Sequence, residues 1–242
     1  MKTCKLLREQ VAAATGSKKA ELVLKNAQIV NVFTQSVETG DIAIEGGYIV
    51  GIGNYEGITE KDLGGAYVCP GFLDGHIHIE SSMTSPGEFE RAVVPHGTIA
   101  VITDPHEIAN VAGTAGIRFM MQSAQKLDLD VYFMLPSCVP ATDLDESGAE
   151  LLARDLEPFY ADEKVLGLAE MMNAFGVTHG DKGCFEKLVQ ARSLKKAIDG
   201  HAPALSGKEL NAYVTAGIRS DHECFGFLKR QREKILPEAS GS

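Results

Sequence analysis

The stretch Ala66-Tyr67-Val68-Cys69-Pro70-Gly71-Phe72-Leu73-Asp74-Gly75-His76-Ile77-His78-Ile79-Glu80-Ser81-Ser82 decides how the rest of the chain is read. A short apolar run precedes a Pro-Gly break, and a second run carries two histidines one residue apart. Side chains alternate between the two faces of an extended strand, so residues i and i+2 point the same way. His76 and His78 therefore share one face, while Ile77 and Ile79 anchor the other. Two imidazoles side by side on one strand make a start for a divalent-metal site. Taken alone, the pair would equally describe two histidines beside a surface turn; the chain that follows decides between the two.

After Pro70 the pattern is strand and helix in alternation. Strands are expected at Thr98–Thr103, Asp130–Leu135, Val165–Glu170, Lys196–Gly200 and Gly217–Asp221. Helical periodicity fills Pro86–Val94, Thr114–Lys126, Ala149–Tyr160, Cys184–Leu194 and Gly207–Ala216. Such alternation predicts βα units around a parallel sheet, six of them counting the opening strand. Polar residues gather at the C-terminal strand ends: His76 and His78, Asp104 and His106, Ser137, Glu170, His201 and His222. That is where a (β/α)8 barrel places its chemistry. An open nucleotide-binding sheet uses the same ends, but no G-x-G-x-x-G follows a strand here and four of the six ends carry histidine. The fold class expected is α/β, an incomplete (β/α)8-type barrel.

Upstream, residues 1–19 read as a polar helix ended by Gly16-Ser17. From Glu21 to Val68, short alternating runs are punctuated by Gly40, Gly46-Gly47, Gly53-Asn54 and Gly64-Gly65, the signature of a small antiparallel, sandwich-like β domain without chemistry of its own. The expected organisation is a helix plus β domain over 1–68, barrel units over 69–224 and a divergent tail over 225–242.

The net charge of -10, with no basic cluster before the last few residues, argues against a nucleic-acid or anionic-membrane partner. Five scattered cysteines without C-x-x-C spacing fit a reducing compartment. The N-terminus has no sustained apolar stretch, and no window approaches the ~18 apolar residues of a membrane span. A cytoplasmic location and a small-molecule substrate are expected, with a homodimer as the assembly considered.

His76, His78, Glu170, His201 and His222 together offer four imidazoles and one carboxylate, enough for two divalent ions bridged by the carboxylate. Two neighbouring metals sharing a hydroxide lower its pKa toward neutrality and supply a nucleophile for hydrolysis. Each of His201 and His222 alone could be structural; their joint placement on successive strand ends points to a metal centre.

The β unit, the Gly-x-x-Asp-Gly-His-x-His strand and the βα units resemble the amidohydrolase superfamily. Within it, six segments in order are similar to the bacterial adenine deaminases: Asp74–Met83, Asp104–Val111, Leu135–Thr142, Leu166–Asn173, Asp199–Tyr213 and Ala216–Cys224. The resemblance implies a binuclear site, most often manganese or iron, whose bridging hydroxide attacks C6 of adenine to give hypoxanthine and ammonia in purine salvage. Zinc could also take such a site, being high in the affinity order. The resemblance makes His76 and His78 ligands of a buried metal, Glu170 the bridge, and His201 and His222 ligands of the second metal. His222 and Glu170 would act in catalysis.

Other polar residues carry two readings each. Glu80 either reaches substrate or ligand, or is a surface or capping acid. Asp104, Pro105, His106 and Glu107 either line the purine pocket, support the ligands or hold a further metal, or form an N-terminal capping box. Ser137 and Cys138 are expected to shape the pocket, with no paired base to make the thiol a nucleophile. Glu223 follows His222 and belongs to the same candidate group. His96 is read as structural and His179 as surface or pocket rim.

The likeness stops after Cys224. The remaining 18 residues cannot supply further βα units, each needing ~30 residues, nor a late aspartate that the family uses. The expectation is a truncated or frameshifted chain with bare edges on strands one and six. An inactive metal- or purine-binding remnant, or another amidohydrolase such as a dihydroorotase-like enzyme, are the alternatives.

Overall fold

The computed structural model describes residues 4–142 and 144–223. The chain divides into two units, Met1–Pro70 and Gly71 onward. The tail expected over 225–242 lies outside the described residues.

In the first unit, helix α1 (Cys4–Ala14) ends at Gly16, which takes a left-handed φ of 72°. Five strands follow: β1 (Ala20–Asn31), β2 (Ser36–Glu45), β3 (Tyr48–Gly53), β4 (Gly57–Asp62) and β5 (Tyr67–Val68). They form one sheet in the order β3-β2-β1-β4, with β5 also on β1. The sheet is mixed rather than antiparallel: β2 runs against β1 and β3, but β4 and β5 run parallel to β1. The cause is local. The runs Leu22–Leu24 and Ala27–Val30, which resemble two strands, are one strand interrupted by a bulge between Leu24 and Ala27. Asn26 takes φ 57° there, and buried Asp41 accepts from its amide at 3.1 Å and from Lys25 Nζ. Since β3 and β4 both run with β1, the chain passes from one to the other without reversing the strand direction, and β4 meets β1 in parallel.

In the second unit the elements are β6 (Phe72–Ile77), α2 (Pro86–Val93), β7 (Thr98–Thr103), α3 (His106–Ser123), β8 (Asp130–Leu135), α4 (Ala153–Leu156), β9 (Val165–Met171), α5 (Ala174–His179), α6 (Lys182–Ser193), β10 (Ala197–Gly200) and α7 (Gly207–Thr215). The strands form a parallel sheet in chain order, β6 to β10, the arrangement of part of a (β/α)8 barrel. Parallel strands covered on both faces are apolar along their whole length, as TIAVIT and DVYFML are. Their side chains, including Val101, Phe133, Leu135 and Leu168, join Ile117 and Met120 of α3 and Leu188 of α6 in one core. Asp181 caps α6 through the amide of Cys184 at 2.8 Å, and Asn173 caps α5 through that of Gly176 at 2.8 Å.

Four expectations are corrected. Gly217–Asp221 forms no strand, so among the described residues five strands pair in this sheet rather than six, although the Arg219 amide still donates to the Ile198 carbonyl at 3.3 Å. Gly217 sits at φ 105°, outside extended geometry, and Ser220 bonds the Asp199 side chain instead of backbone. Among the described residues the sheet therefore ends on β10. Helix α3 starts at His106, eight residues before the periodic run, and carries a non-helical Gly113 inside it. The segment Ala149–Tyr160 yields only α4 and a 3-10 turn at Glu157–Ala161, because Pro158 lacks the amide a longer helix needs. Helix α5 appears where a loop was expected, with His179 in its last turn. No helix among the described residues is long and apolar enough to cross a membrane.

Candidate metal centre

Alternation on β6 brings His76 and His78 together, their Nε2 atoms 3.0 Å apart. The chain then leaves extended geometry for a 3-10 turn, Ile79–Ser82. The backbone carbonyl of Asp104, just beyond β7, accepts from His78 Nδ1 at 2.9 Å. A histidine whose Nδ1–H is held this way presents Nε2 in a set direction, here toward Glu170 at the end of β9, 3.3 Å away.

Glu170 organises the site. It is 3% exposed, and its two oxygens face different partners. Oε1 lies 3.3 Å from His78 Nε2, 3.4 Å from His106 Nδ1 and 3.8 Å from His76 Nε2. Oε2 lies 2.8 Å from His201 Nδ1 and 3.0 Å from His222 Nε2. Burial pushes its carboxyl up, but the hydrogen bond with His78 and the fields of His76, His201 and His222 outweigh it and hold the group below the usual carboxylate range.

Three donor sets result: His78, Asp104, His106 and Glu170; His76, Asp199 and His222; and Glu170, His201 and His222. Asp199 on β10 is absent from the sequence candidates. Its Oδ2 lies 3.2 Å from His76 Nδ1 and 3.5 Å from His222 Nδ1. Burial raises its pKa, but the bonds from His76 and Ser220 prevail and keep it low. A signal existed: Asp199-Gly200-His201 repeats Asp74-Gly75-His76, and two strand residues two apart share a face.

Asp104 is fully buried, which pushes its carboxyl up. Its Oδ2 meets His106 Nδ1 at 2.9 Å, and Oδ1 has no hydrogen-bond partner among the described residues. The capping-box reading is corrected, since Pro105 holds the N-cap position and offers no side-chain bond of its own. Glu107, in the first turn of α3, accepts from Ser81 at 2.7 Å and faces His78 Nδ1 at 3.4 Å. Burial opposes its ionisation, yet His78 and Ser81 bring it down to about 2. His78, which burial would lower, is driven up to about 11 by Glu107 and Glu170.

Glu80 does not continue the histidine face, because the 3-10 turn redirects it. Its Oε1 accepts from the Ile108 amide at 3.3 Å, at the start of α3. Ser137 is buried behind the cluster: its hydroxyl donates to the Glu170 carbonyl, and its own carbonyl accepts from buried Lys187 Nζ at 2.7 Å. Cys138 packs beside it in the core. Glu223 is exposed beyond His222, its amide bonding Asp221 at 3.0 Å. His96 lies in an exposed turn before β7, and exposed His179 stacks on Phe175 at 3.9 Å.

A parallel barrel sheet with imidazoles and carboxylates converging at its C-terminal ends defines a metal-dependent hydrolase class. The chain belongs to the amidohydrolase family, whose model matches residues 67–239. It is 54% identical over 220 residues to adenine deaminase 2 of Carboxydothermus hydrogenoformans, covering 91% of this chain and 38% of that protein. It is 53% identical over 229 residues to the adenine deaminase of Clostridium acetobutylicum, covering 95% and 40% respectively. The chain thus spans about two fifths of the length of these curated relatives. Among solved structures it resembles a D-aminoacylase (TM-score 0.57, 15% identity, 89% of this chain and 54% of that one). It also resembles the L-hydantoinase of Arthrobacter aurescens (TM-score 0.53, 18% identity, 81% and 47%). These two likenesses bear on the fold alone.

The donor set suits divalent cations. Nitrogen and carboxylate oxygen are the ligands such ions take. The buried, unpartnered Asp104 Oδ1 and the divided Glu170 carboxylate are what a pair of cations would satisfy.

Proposed function

We propose that this chain carries the binuclear centre of an adenine deaminase-type metallohydrolase, which converts adenine and water to hypoxanthine and ammonia. The observation that carries the metal reading is Glu170, with one oxygen toward His78 and His106 and the other toward His201 and His222. The substrate comes from the adenine deaminases that the chain resembles at 53–54% identity.

His78, Asp104, His106 and Glu170 would hold one cation, and Glu170, His201 and His222 the other. His76 stands between, close to His78 and stacked on His222 at 3.7 Å. This differs from the pairing of His76 with His78 on one metal that the family resemblance implies. Manganese is the proposed ion, with iron or zinc as alternatives. Bound there, divalent cations supply the Lewis acidity that makes water a nucleophile near neutral pH. The chain's own contribution is orientation and proton handling. Glu107 stays ionised and fixes His78 from behind. Asp199 orients His76 and His222 and is placed to take up a proton from either. Cytoplasmic purine salvage is the role that fits this activity.

The test is ammonia release from adenine by the manganese-loaded chain beside its His201→Ala variant. Release by the parent alone supports the reading. Metal retention without release by either protein favours a binding remnant, and hydrolysis of dihydroorotate instead of adenine overturns the substrate.

A further inference from the structure

Tyr213 stands on α7 and is 2% exposed. Its hydroxyl donates to the Met171 carbonyl at 2.6 Å and accepts from the His201 amide at 3.0 Å. Those two backbone groups belong to the residues immediately after Glu170 and Gly200. The β9–β10 ladder runs Ala197 with Gly167, Ile198 with Leu168 and, past an irregularity, Gly200 with Met171. Beyond that pair a direct bond between the strands gives way to the phenol, which joins donor and acceptor through its own oxygen. The Met171 carbonyl is buried and the His201 amide partly so; both need partners, and the hydroxyl satisfies both while holding the strand ends apart.

The surroundings leave the ring little freedom. A Cβ at Gly200 would fall 3.1 Å from Tyr213 Cε1 and 2.4 Å from the Ser220 carbonyl. The ring is thus packed against Gly200, with Ile218 also lining that position. Across the bridge, Glu170 Oε2 and His201 Nδ1 face each other at 2.8 Å. Metal sites tolerate little misplacement, and groups that orient ligands are often worth ~10–100-fold in affinity.

We propose that Tyr213 is a positioning residue, whose hydroxyl, bonded at once to Met171 and His201, sets the separation of the Glu170 and His201 side chains. Its effect on metal binding rests on the binuclear reading above; its effect on His201 does not.

The experiment compares Tyr213→Phe with the parent, both as the full 242-residue chain. In metal-free protein labelled with 15N-histidine, the His201 amide and imidazole resonances move, whereas those of His96 and His179 stay. An unmoved His201 overturns the proposal. In equilibrium dialysis against manganese, the parent takes up two equivalents, and the variant binds one of them at least ~10-fold more weakly while the other stays within ~3-fold. Loss of neither, or equal loss of both, overturns it as well. A parent that binds no manganese removes the binuclear reading and leaves Tyr213 to be decided by the histidine spectrum. Should Tyr213→Phe not fold, 3-fluorotyrosine at this position keeps the ring and acidifies the hydroxyl, and the His201 amide is read with the same two outcomes.

Discussion

Asp199 Oδ2 lies 3.2 Å from His76 Nδ1, joining the last strand of the parallel sheet to the first across the mouth of the site. The same oxygen is 3.5 Å from His222 Nδ1, and the two imidazoles it serves are stacked. One carboxylate thus orients two rings. Asp199→Asn keeps the shape and removes the charge, so divalent-metal affinity, and any adenine turnover, should fall ~10–100-fold. Metal content after gel filtration, beside ammonia release, measures it; unchanged values in both would show that the two rings need no anionic partner.

Glu170→Gln removes the negative charge that faces both imidazole sets. The amide oxygen can still accept from one imidazole set, but the amide nitrogen is a donor and cannot accept from the other. Metal content should drop from two per chain to one or fewer, and any deaminase activity by at least ~100-fold. Two tightly held equivalents in the variant would contradict the bridging role.

Adding metal should stabilise the second unit. A cation that binds only the folded chain contributes RT ln(1 + [L]/Kd), about 2.7 kcal/mol at a hundredfold excess over Kd. Thermal melts with chelator and then with excess manganese should therefore differ by several degrees, while His201→Ala narrows the gap. Identical melts would mean that the cluster does not hold the ion.

Stability of the first unit should depend on pH through Asp41. Lys25, and the amides of Asn26 and Tyr55, lower its pKa in the folded state despite burial. A depressed carboxylate contributes stability above its unfolded pKa of about 3.9, and loses it as pH falls through the lower folded value. Glu45, held low by Lys18, adds in the same sense. Melting temperature should hold from pH 7 to about 5 and fall below about 4, with a shallower fall in Asp41→Asn. Circular dichroism melts across that range test it.

Gly167 permits β9 to lie against β10. A Cβ there would stand 2.1 Å from the Ala197 carbonyl oxygen and 2.9 Å from Met134 Cε. Gly167→Ala must push strand from strand, at about 1–3 kcal/mol. A urea midpoint equal to the parent's would show that the sheet yields more easily than its packing implies.

Much of the site was legible in sequence, for a reason specific to each residue. His76 and His78 follow from period-two alternation, and Glu170 and His201 from polar residues ending apolar runs. Asp199 is legible by the same alternation, since it lies on β10 two residues before His201 and so shares its face. Asp104 carries two readings in sequence, a site role and a cap; the cap falls because Pro105 takes the N-cap position and the carboxylate is buried against His106. Ser137, expected to shape the pocket, bonds the Glu170 backbone. Gly217–Asp221 looked extended, and a left-handed glycine with a side-chain bond to Asp199 kept it out of the ladder.

The sequence by itself determined what local physics controls. Apolar runs specified buried parallel strands, proline and glycine marked their ends, and the alternation of side chains put metal-binding groups on one rim. Only the tertiary structure decided which groups meet. His106 joins His78, His222 stacks on His76, and the oxygens of Glu170 divide between two sets because strand stagger and the packing of α3 and α7 set distances of a few ångströms. Those distances depend on contacts between segments far apart in the chain, which no local pattern encodes.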